Sequence, residues 1–386
     1  MKRNTTLCIF IVTLALVSIG TVMVYSSSAA TAAYHDRLMI YRKAPELLEK
    51  TNHYHDADYL KKQLIWVVLG VMAMLICYNV DYARLGKYSP YILGAAVLLL
   101  IAVLIFGVRI NGAKRWLRVG MFTIQPSEFA KLALVIFMSR FLAEHKNKVK
   151  SFVKGFLPVL SILGATLVLV ILEPDLGSTA VIGAIIFIIW FVAGLRILHL
   201  SSLFIASIPC GLVAIFKWRY QLDRIIAFTN PWKYRDGIGF QMVQAQIAVG
   251  TGGLHGHGLG AGMQKYQFLA EAHTDYIFAI LAEETGFIGG VFLVILFVAL
   301  LYLGMTVALR ASDYYPGLLA SGIVTMICLS SAVNFFVVLS MLPPKGLALP
   351  FISYGGSSLF VNMAAIGILL NISKSTEEAA LAAMPR

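Results

Sequence analysis

The chain has 386 residues, of which 59% are hydrophobic, with a mean hydropathy of +0.81 and a net charge of +12. Soluble globular proteins are only about 45–50% apolar, so this composition excludes an ordinary soluble domain. Charge-free runs at 91–106 and 291–303 indicate membrane-spanning helices. Because these runs are continuous, they argue against a transmembrane barrel, whose strands alternate. The sequence predicts an all-α, polytopic membrane protein.

The positive charge fits loops that face anionic lipid or an anionic substrate. No basic-aromatic module accompanies it, so no nucleic-acid partner is expected. Cys8, Cys77, Cys210 and Cys328 each lie in an apolar segment without metal-ligand spacing. The sequence therefore predicts no disulfide framework and no metal site formed by cysteine.

The N-terminus combines Lys2 and Arg3 with an apolar run at 7–24, which has the outline of a signal peptide. The run is long enough to span, and this favours an uncleaved first helix. The loop that follows, 27–63, is polar and unpatterned, with room for a short helix at 44–50. We find no soluble domain, so a single membrane domain is expected to cover 1–386.

Apolar segments predict ten spans, of which 274–309 is long enough to require tilt or extension beyond the bilayer. Their approximate bounds are 7–26, 64–80, 88–108, 127–143, 155–172, 177–195, 199–217, 274–309, 316–341 and 352–373. Short loops on one side carry Arg84, Lys87 and Arg196, and the positive-inside rule places that side in the cytoplasm. An even number of spans then puts both termini in the cytoplasm.

A short loop on the opposite side, 111–127, places Lys114, Arg115 and Arg118 around Trp116. Its charges oppose the positive-inside bias, from which only long translocated loops are exempt. One interpretation is an interfacial tryptophan with cations on lipid phosphate. The other is a clamp in which guanidinium groups hold a pyrophosphate bidentately.

The helix that follows begins at Pro126 and Ser127, residues typical of helix starts. Glu128 and Lys131 lie three positions apart and share one face. They predict either a neutralising ion pair or an inward Lys131 that meets substrate charge. The later segment 173–178 (EPDLGS) has turn chemistry, and a structural role is expected for it.

The longest excursion from the membrane, at about 218–273, holds a glycine run at 250–262. It has no Gly-Lys-Ser/Thr and no preceding strand, so we reject a nucleotide loop in favour of a surface loop or re-entrant turn. The excursion ends at His273, Thr274 and Asp275, where the eighth span begins. Asp275 is either a helix cap or a carboxylate base kept ionised by the helix N-terminus.

Glu283 and Glu284 lie deeper on the same helix, where a carboxylate requires a partner, so a pairing cation is expected for at least one. The last loop, 342–358, is rich in Pro, Gly and Ser. Irregular backbone at membrane depth must be buried or line a cavity. A plain connector is the alternative, but the length of the stretch favours a site wall that includes Lys345 and Ser357.

Seven strings in this order resemble the SEDS family (shape, elongation, division and sporulation proteins). They are NGAKRWLRVG, IQPSEFAKL, EPDLGS, FTNPW with DGIGFQ, GTGGLHGHGLG, EAHTDYIFAILAEETG and LPPKGLALPFISYGGSS. EAHTD and the ending KGLALPFISYGGSS resemble the cell-division branch more than the elongation branch, with the sporulation branch close to it. The long first loop departs from the family pattern.

The resemblance implies the SEDS fold and an inverting peptidoglycan glycosyltransferase. This enzyme polymerises lipid II at the outer face of the cytoplasmic (inner) membrane, for septal wall synthesis in division. It implies a class B penicillin-binding protein transpeptidase as partner, alongside other divisome membrane proteins. The family's catalytic aspartate falls on Asp275. The expected substrate contacts are Arg115, Lys131, Glu128, Trp116, Lys114, His273, Lys345 and Ser357.

No cofactor is required by the sequence, although a divalent cation, Mg or Mn, is compatible with a pyrophosphate. Three alternatives stay open at this point. The chain is a lipid II flippase, an elongation or sporulation polymerase of the same family, or a scaffold for divisome partners. A flippase needs polar groups along a path across the bilayer, whereas here they concentrate on one side.

Overall fold

A computed structural model describes residues 5–42, 56–110, 113–120, 122–148, 151–217, 219–266, 269 and 272–382. Its helices are α1 (Thr5–Arg42), α2 (Asp56–Asn79), α3 (Tyr82–Lys87), α4 (Ser89–Phe106), α5 (Pro126–Glu144), α6 (Leu157–Leu172), α7 (Leu176–Val192), α8 (Ile197–Lys217), α9 (Arg219–Thr229), α10 (Phe240–Thr251), α11 (Ile277–Arg310), α12 (Tyr314–Val338) and α13 (Gly356–Ala382). Short strands are β1 (Val108–Ile110), β2 (Ala113–Val119) and β3 (Phe122–Ile124). A π-helical turn spans Phe152–Phe156, and 3₁₀ turns span Pro231–Tyr234 and Gln264–Tyr266.

Each predicted span falls on a helix, and the all-α architecture is confirmed. Within the described residues, seven helical stretches are long and apolar enough to cross a membrane: Thr5–Ser28, Tyr59–Asn79, Tyr82–Phe106, Phe152–Leu172, Ile277–Arg310, Tyr314–Val338 and Gly356–Glu378. Leu176–Val192 and Ile197–Val213 are shorter apolar helices, and the remaining predicted span falls on α5, which belongs to neither group. The chain is a multi-pass membrane protein.

Buried helices at the centre of the bundle are surrounded by helices with apolar outer faces. Trp190 of α7, Leu134 and Met138 of α5 and Ile327 of α12 are fully or almost fully inaccessible. Leu98 and Phe106 of α4 are instead 67% and 75% exposed. Large apolar side chains on the outer surface suit contact with lipid tails.

The predicted loop 27–63 is wrong at both ends, because α1 continues to Arg42 and α2 begins at Asp56. No Gly or Pro interrupts 27–42, and its alanines favour helix, so the polar residues there do not end α1. The short helix predicted at 44–50 lies outside the described residues.

A three-stranded antiparallel sheet, β1-β2-β3, was not predicted. Val108 pairs with Trp116, and Leu117 pairs with Ile124. The sheet folds the basic loop into a compact layer that packs against α4 and α5. Because side chains alternate along a strand, the sheet fixes the face on which each basic residue of that loop lies.

Helix α11 is broken at Gly286, which has φ 70° and ψ −168°. The long span predicted at 274–309 is therefore not one continuous helix. The glycine-rich segment 252–262 packs onto the break, where the His257 amide donates to the Glu283 carbonyl at 3.1 Å. A Cβ on Gly256 would lie 2.1 Å from the Glu284 carbonyl oxygen, so only glycine permits this approach.

A buried ion pair fastens the same region. Lys265 Nζ lies 2.6 Å from Glu284 Oε1, with side-chain exposures of 2% and 0%. Ser26 of α1 donates to Glu284 at 2.7 Å, and Glu283 accepts from the Met263 amide at 2.7 Å. The prediction that one of the two glutamates pairs with a cation is confirmed. The excursion is thereby anchored to α1 and α11.

Candidate active site

Asp275 immediately precedes Tyr276, which is the N-cap of α11 and makes no side-chain capping bond. The helix therefore does not begin at Asp275 as predicted. Tyr276 lies between Asp275 and the helix and occupies the N-cap position. Its side chain is half-buried, whereas Tyr276 is 4% exposed. The carboxyl group lies in a short turn between the large excursion and α11.

Hydrogen bonds from other elements hold this turn in place. Asn334 of α12 donates its side-chain amide to the carbonyl of Asp275 at 2.9 Å and to that of Leu347 at 2.7 Å. Ser353 Oγ donates to the Thr274 carbonyl at 2.5 Å. Asn334 is 1% exposed, so its bonds are sheltered from water. The turn and the loop that follows α12 are thus fixed relative to each other.

The loop after α12 passes directly in front of Asp275. A Cβ on Gly346 would lie only 3.2 Å from Asp275 Oδ2. Beside it, Lys345 is half-buried, and burial lowers the pKa of its ammonium group. The negative charge of Asp175 opposes this decrease, and the positive charge of Arg224 adds to it. Lys345 therefore brings a cation into the loop whose next residue, Gly346, lies against the carboxyl group of Asp275.

The 173–175 turn links Arg115 to the same loop. Arg115 donates from Nε to the Glu173 carbonyl at 3.2 Å and from Nη2 to the Pro174 carbonyl at 2.5 Å. Asp175 caps α7 by accepting from the amide and the hydroxyl of Ser178, at 2.9 and 2.8 Å. The EPDLGS segment has the structural role predicted for it, and it also positions Arg115.

Contact between this turn and the loop of Lys345 is close. A Cβ on Gly177 would lie 3.6 Å from Lys345 Cβ and 3.7 Å from Leu347 Cγ. Arg115, Lys345 and Asp275 therefore belong to one continuous arrangement at one end of the bundle.

Strand β2 separates the basic residues that the sequence groups around Trp116. Side chains alternate between the two faces of a strand, so Lys114 and Trp116 share one face and Arg115 takes the other. Arg115 contacts the 173–175 turn, whereas Arg118, on the face of Trp116, is exposed. The structure does not gather the basic residues of this loop around Trp116 as one cluster.

Lys131 and Glu128 form an ion pair inside the bundle. Lys131 Nζ lies 2.8 Å from Glu128 Oε1, with side-chain exposures of 6% and 9%. This geometry is that of the neutralising pair. Ser357 is likewise engaged, since its Oγ accepts from the Gln125 amide at 3.0 Å and joins α13 to the start of α5. Substrate contact by these three residues stays a prediction.

His273 lies in an aromatic cluster. Its ring centroid is 5.1 Å from that of Tyr59 and 5.7 Å from that of Tyr354. The His273 carbonyl accepts from the Tyr354 amide at 2.9 Å. The imidazole of His273, two residues before Asp275, therefore packs against α2 and against the loop before α13.

Arg224 of α9 is a residue to which the sequence analysis assigned no role. Its positive charge acts on both Tyr276 and Lys345. Burial, followed by the charge of Asp275, raises the pKa of Tyr276, and Arg224 opposes that increase. The sequence signal that could have pointed to Arg224 is a cation in α9, a short amphipathic helix that precedes the glycine run.

The side chains that the structure describes leave a divalent cation at the substrate pyrophosphate as a prediction. Among them, no group of three or more His, Cys, Asp or Glu residues is placed to hold a metal ion. Asp175 already accepts two hydrogen bonds from Ser178.

Comparisons with known proteins agree with this architecture. Residues 6–378 match the family model FTSW_RODA_SPOVE, described as cell cycle protein. Stage V sporulation protein E of Bacillus subtilis is 40% identical over 97% of this chain and 98% of its own length. A probable peptidoglycan glycosyltransferase FtsW of Geobacter metallireducens is also 40% identical, over 95% of this chain and 94% of its own.

Solved structures give the same result. A peptidoglycan synthase complex that coordinates polymerization and crosslinking contains a chain with a TM-score of 0.73 and 28% identity, covering 95% of this chain and 97% of that one. The rod shape determining protein RodA of Thermus thermophilus has a TM-score of 0.65 and 27% identity, with coverages of 95% and 96%. The fold and the relatives together place this chain in the FtsW/RodA/SpoVE family of cell cycle proteins, the SEDS family.

Proposed function

We propose that this chain is a peptidoglycan glycosyltransferase that polymerises lipid II into glycan strands. It acts at the outer face of the cytoplasmic membrane, with both termini in the cytoplasm. The observation that carries the proposal is the placement of the Asp275 carboxyl group against Gly346, the residue that follows Lys345 in the loop after α12. Relatives named as probable peptidoglycan glycosyltransferases, 37–40% identical, support the reaction class.

Asp275 acts as the general base. It takes the proton from the 4-hydroxyl of the acceptor GlcNAc, and that oxygen attacks the anomeric carbon of the donor MurNAc. The bond from this carbon to the pyrophosphate oxygen breaks, and undecaprenyl pyrophosphate leaves with the electron pair. An α-linked donor gives a β-linked product, so the configuration inverts, as expected for one base and one in-line attack.

Cations at this end of the bundle stabilise the leaving group. Lys345 lies in the loop that passes Asp275, and Arg115 is positioned through the 173–175 turn. Fixed positive charge in a partly dehydrated site stabilises developing pyrophosphate charge more strongly than water does. Lys114, Trp116, Lys131, Glu128, His273 and Ser357 are proposed as further substrate contacts. A divalent cation, Mg or Mn, is compatible with the pyrophosphate, and no step is assigned to it.

We propose a septal role, with a class B penicillin-binding protein as the transpeptidase partner and other divisome membrane proteins nearby. Relatives of 40% identity include a stage V sporulation protein as well as FtsW proteins. A sporulation role is therefore the nearest alternative. The structural neighbour from a peptidoglycan synthase complex supports an assembly of this kind.

The proposal is tested by polymerisation of purified lipid II, resolved by gel, with the full chain and its cognate transpeptidase. D275A and D275N should yield no polymer yet still co-purify with the partner. D236A is the matched control, since its side chain is 94% exposed in the same excursion, and it should polymerise normally. Undiminished polymer from D275A would refute the assignment. Lipid II transfer across liposomes without polymer would favour a flippase, and silent D275A and D275N variants in vivo would favour a scaffold.

A further inference from the structure

Glu173 is a buried carboxyl group to which the mechanism above gives no role. Its residue exposure is 0%, and neither Oε1 nor Oε2 has a hydrogen-bond partner among the described residues. A buried ionised carboxylate without a partner is strongly unfavourable, so such a group becomes neutral instead. The Glu173 backbone carbonyl accepts one of the hydrogen bonds that position Arg115. The charge of the Glu173 side chain therefore acts on the Arg115 guanidinium group.

Arg115 uses its donors on the backbone of the same turn. Its Nε and Nη2 reach the carbonyls of Glu173 and Pro174, not the Glu173 side chain. In the part of the chain that the structure describes, Arg115 has no carboxylate within ion-pairing distance. Neutral carbonyls do not cancel the charge of a guanidinium, so Arg115 keeps its full positive charge while Glu173 is neutral.

Two charged groups act on the Glu173 carboxyl group: Asp175, which lies on the same turn, and Arg115, which lies on β2. Lys345 is a further charged residue of the neighbouring loop, which packs against Gly177. Burial, reinforced by Asp175 and opposed by Arg115, raises the pKa of Glu173 to about 8. The group is therefore predominantly protonated at neutral pH and ionises as the medium becomes alkaline.

We propose that Glu173 is a positioning residue of the polymerase. In its neutral form it leaves Arg115 fully charged for the substrate pyrophosphate, and its ionisation cancels that charge. The inference rests on the proposed function. It predicts an alkaline limit on substrate binding that arises from a residue other than Asp275 and is relieved by a permanently neutral isostere.

The test is the pH profile of lipid II polymerisation by the full chain with its cognate transpeptidase, at subsaturating and saturating lipid II. The wild-type rate at subsaturating lipid II should fall about tenfold per pH unit above the pKa of the controlling group. Saturating lipid II should reduce the loss, because binding is affected. E173Q should polymerise at neutral pH and lack the alkaline fall. E144Q, whose carboxyl group lies on an exposed pair at the end of α5, should retain the wild-type profile.

The outcomes separate this inference from the proposed function. No polymer from the wild type would defeat the proposed function itself. Polymer from the wild type, with the same alkaline fall in E173Q or with a folded but inactive E173Q, would overturn the role of Glu173 alone. If E173Q does not fold, infrared spectroscopy of the wild type decides the question. A protonated carboxyl signal that titrates near pH 8 supports the proposal, and its absence overturns it.

Discussion

Gly346 lies so close to Asp275 that a Cβ at position 346 would stand 3.2 Å from Oδ2 of the carboxyl group. That distance is short for a carbon–oxygen contact, so any side chain at position 346 displaces the carboxyl group or the loop. Gly346 does not have a positive φ, and alanine is therefore compatible with its backbone. Position 346 therefore requires glycine because of its small size and not because of a left-handed backbone conformation.

G346A should lower the polymerisation rate by about tenfold to a hundredfold, because a small displacement of a catalytic group is costly. Initial rates at saturating lipid II measure the effect. G250A is the matched control, since a Cβ there would meet nothing within 4 Å, and it should leave the rate unchanged. A G346A rate equal to that of wild type would show that the Asp275 carboxyl group does not need this clearance.

R115K should raise the KM for lipid II roughly tenfold with a smaller effect on kcat. One ammonium group cannot reproduce the two bonds to Glu173 and Pro174, and charged hydrogen bonds contribute about 1.5–3 kcal/mol each. R118K, on the opposite face of β2, tests whether the direction of the side chain matters. Equal effects from the two substitutions would contradict the division of this strand into two faces.

K131M alone should destabilise the protein by about 3–5 kcal/mol, because it leaves Glu128 buried without its cation. The double variant K131M/E128Q should recover much of that loss, as measured by thermal unfolding in detergent. Polymerisation by the folded double variant then distinguishes a structural role of the pair from substrate contact by Lys131. Activity near wild type means that the pair is structural, and a stable but inactive double variant means that Lys131 meets the substrate.

K265M should also be strongly destabilising, by about 3–5 kcal/mol, because Glu284 is fully buried and loses its cation. Hydrogen exchange should increase in the glycine-rich segment 252–262, which this pair fastens to α11. E144Q breaks an exposed pair instead and should cost about 0–1 kcal/mol. Unchanged exchange in K265M would show that the backbone contacts at Gly256 hold the segment without the ion pair.

Hydropathy along the chain was enough to place each of the ten predicted spans on a helix, because burial in lipid is a local requirement on each segment. The same local signal failed for the α1 extension to Arg42, where polar residues continue a helix beyond its apolar part. It also failed for β1, β2 and β3, whose short strands carry the basic residues that were interpreted as one cluster. A short strand forms only when it pairs with another strand, and the sequence of one strand does not show which segment that partner is.

For the site, the residue pattern left Asp275 as either a helix cap or a base, and the family resemblance implied its catalytic role and the reaction. The sequence also named Lys345, Arg115 and the Glu128–Lys131 pair, but not which of them meet. Only the tertiary structure placed the loop of Lys345 against Asp275, turned Arg115 towards the 173–175 turn and closed Lys131 onto Glu128. The physical reason is that burial and pairing of charges depend on contacts between distant segments. The unpartnered carboxyl group of Glu173 is likewise visible only after those segments have packed.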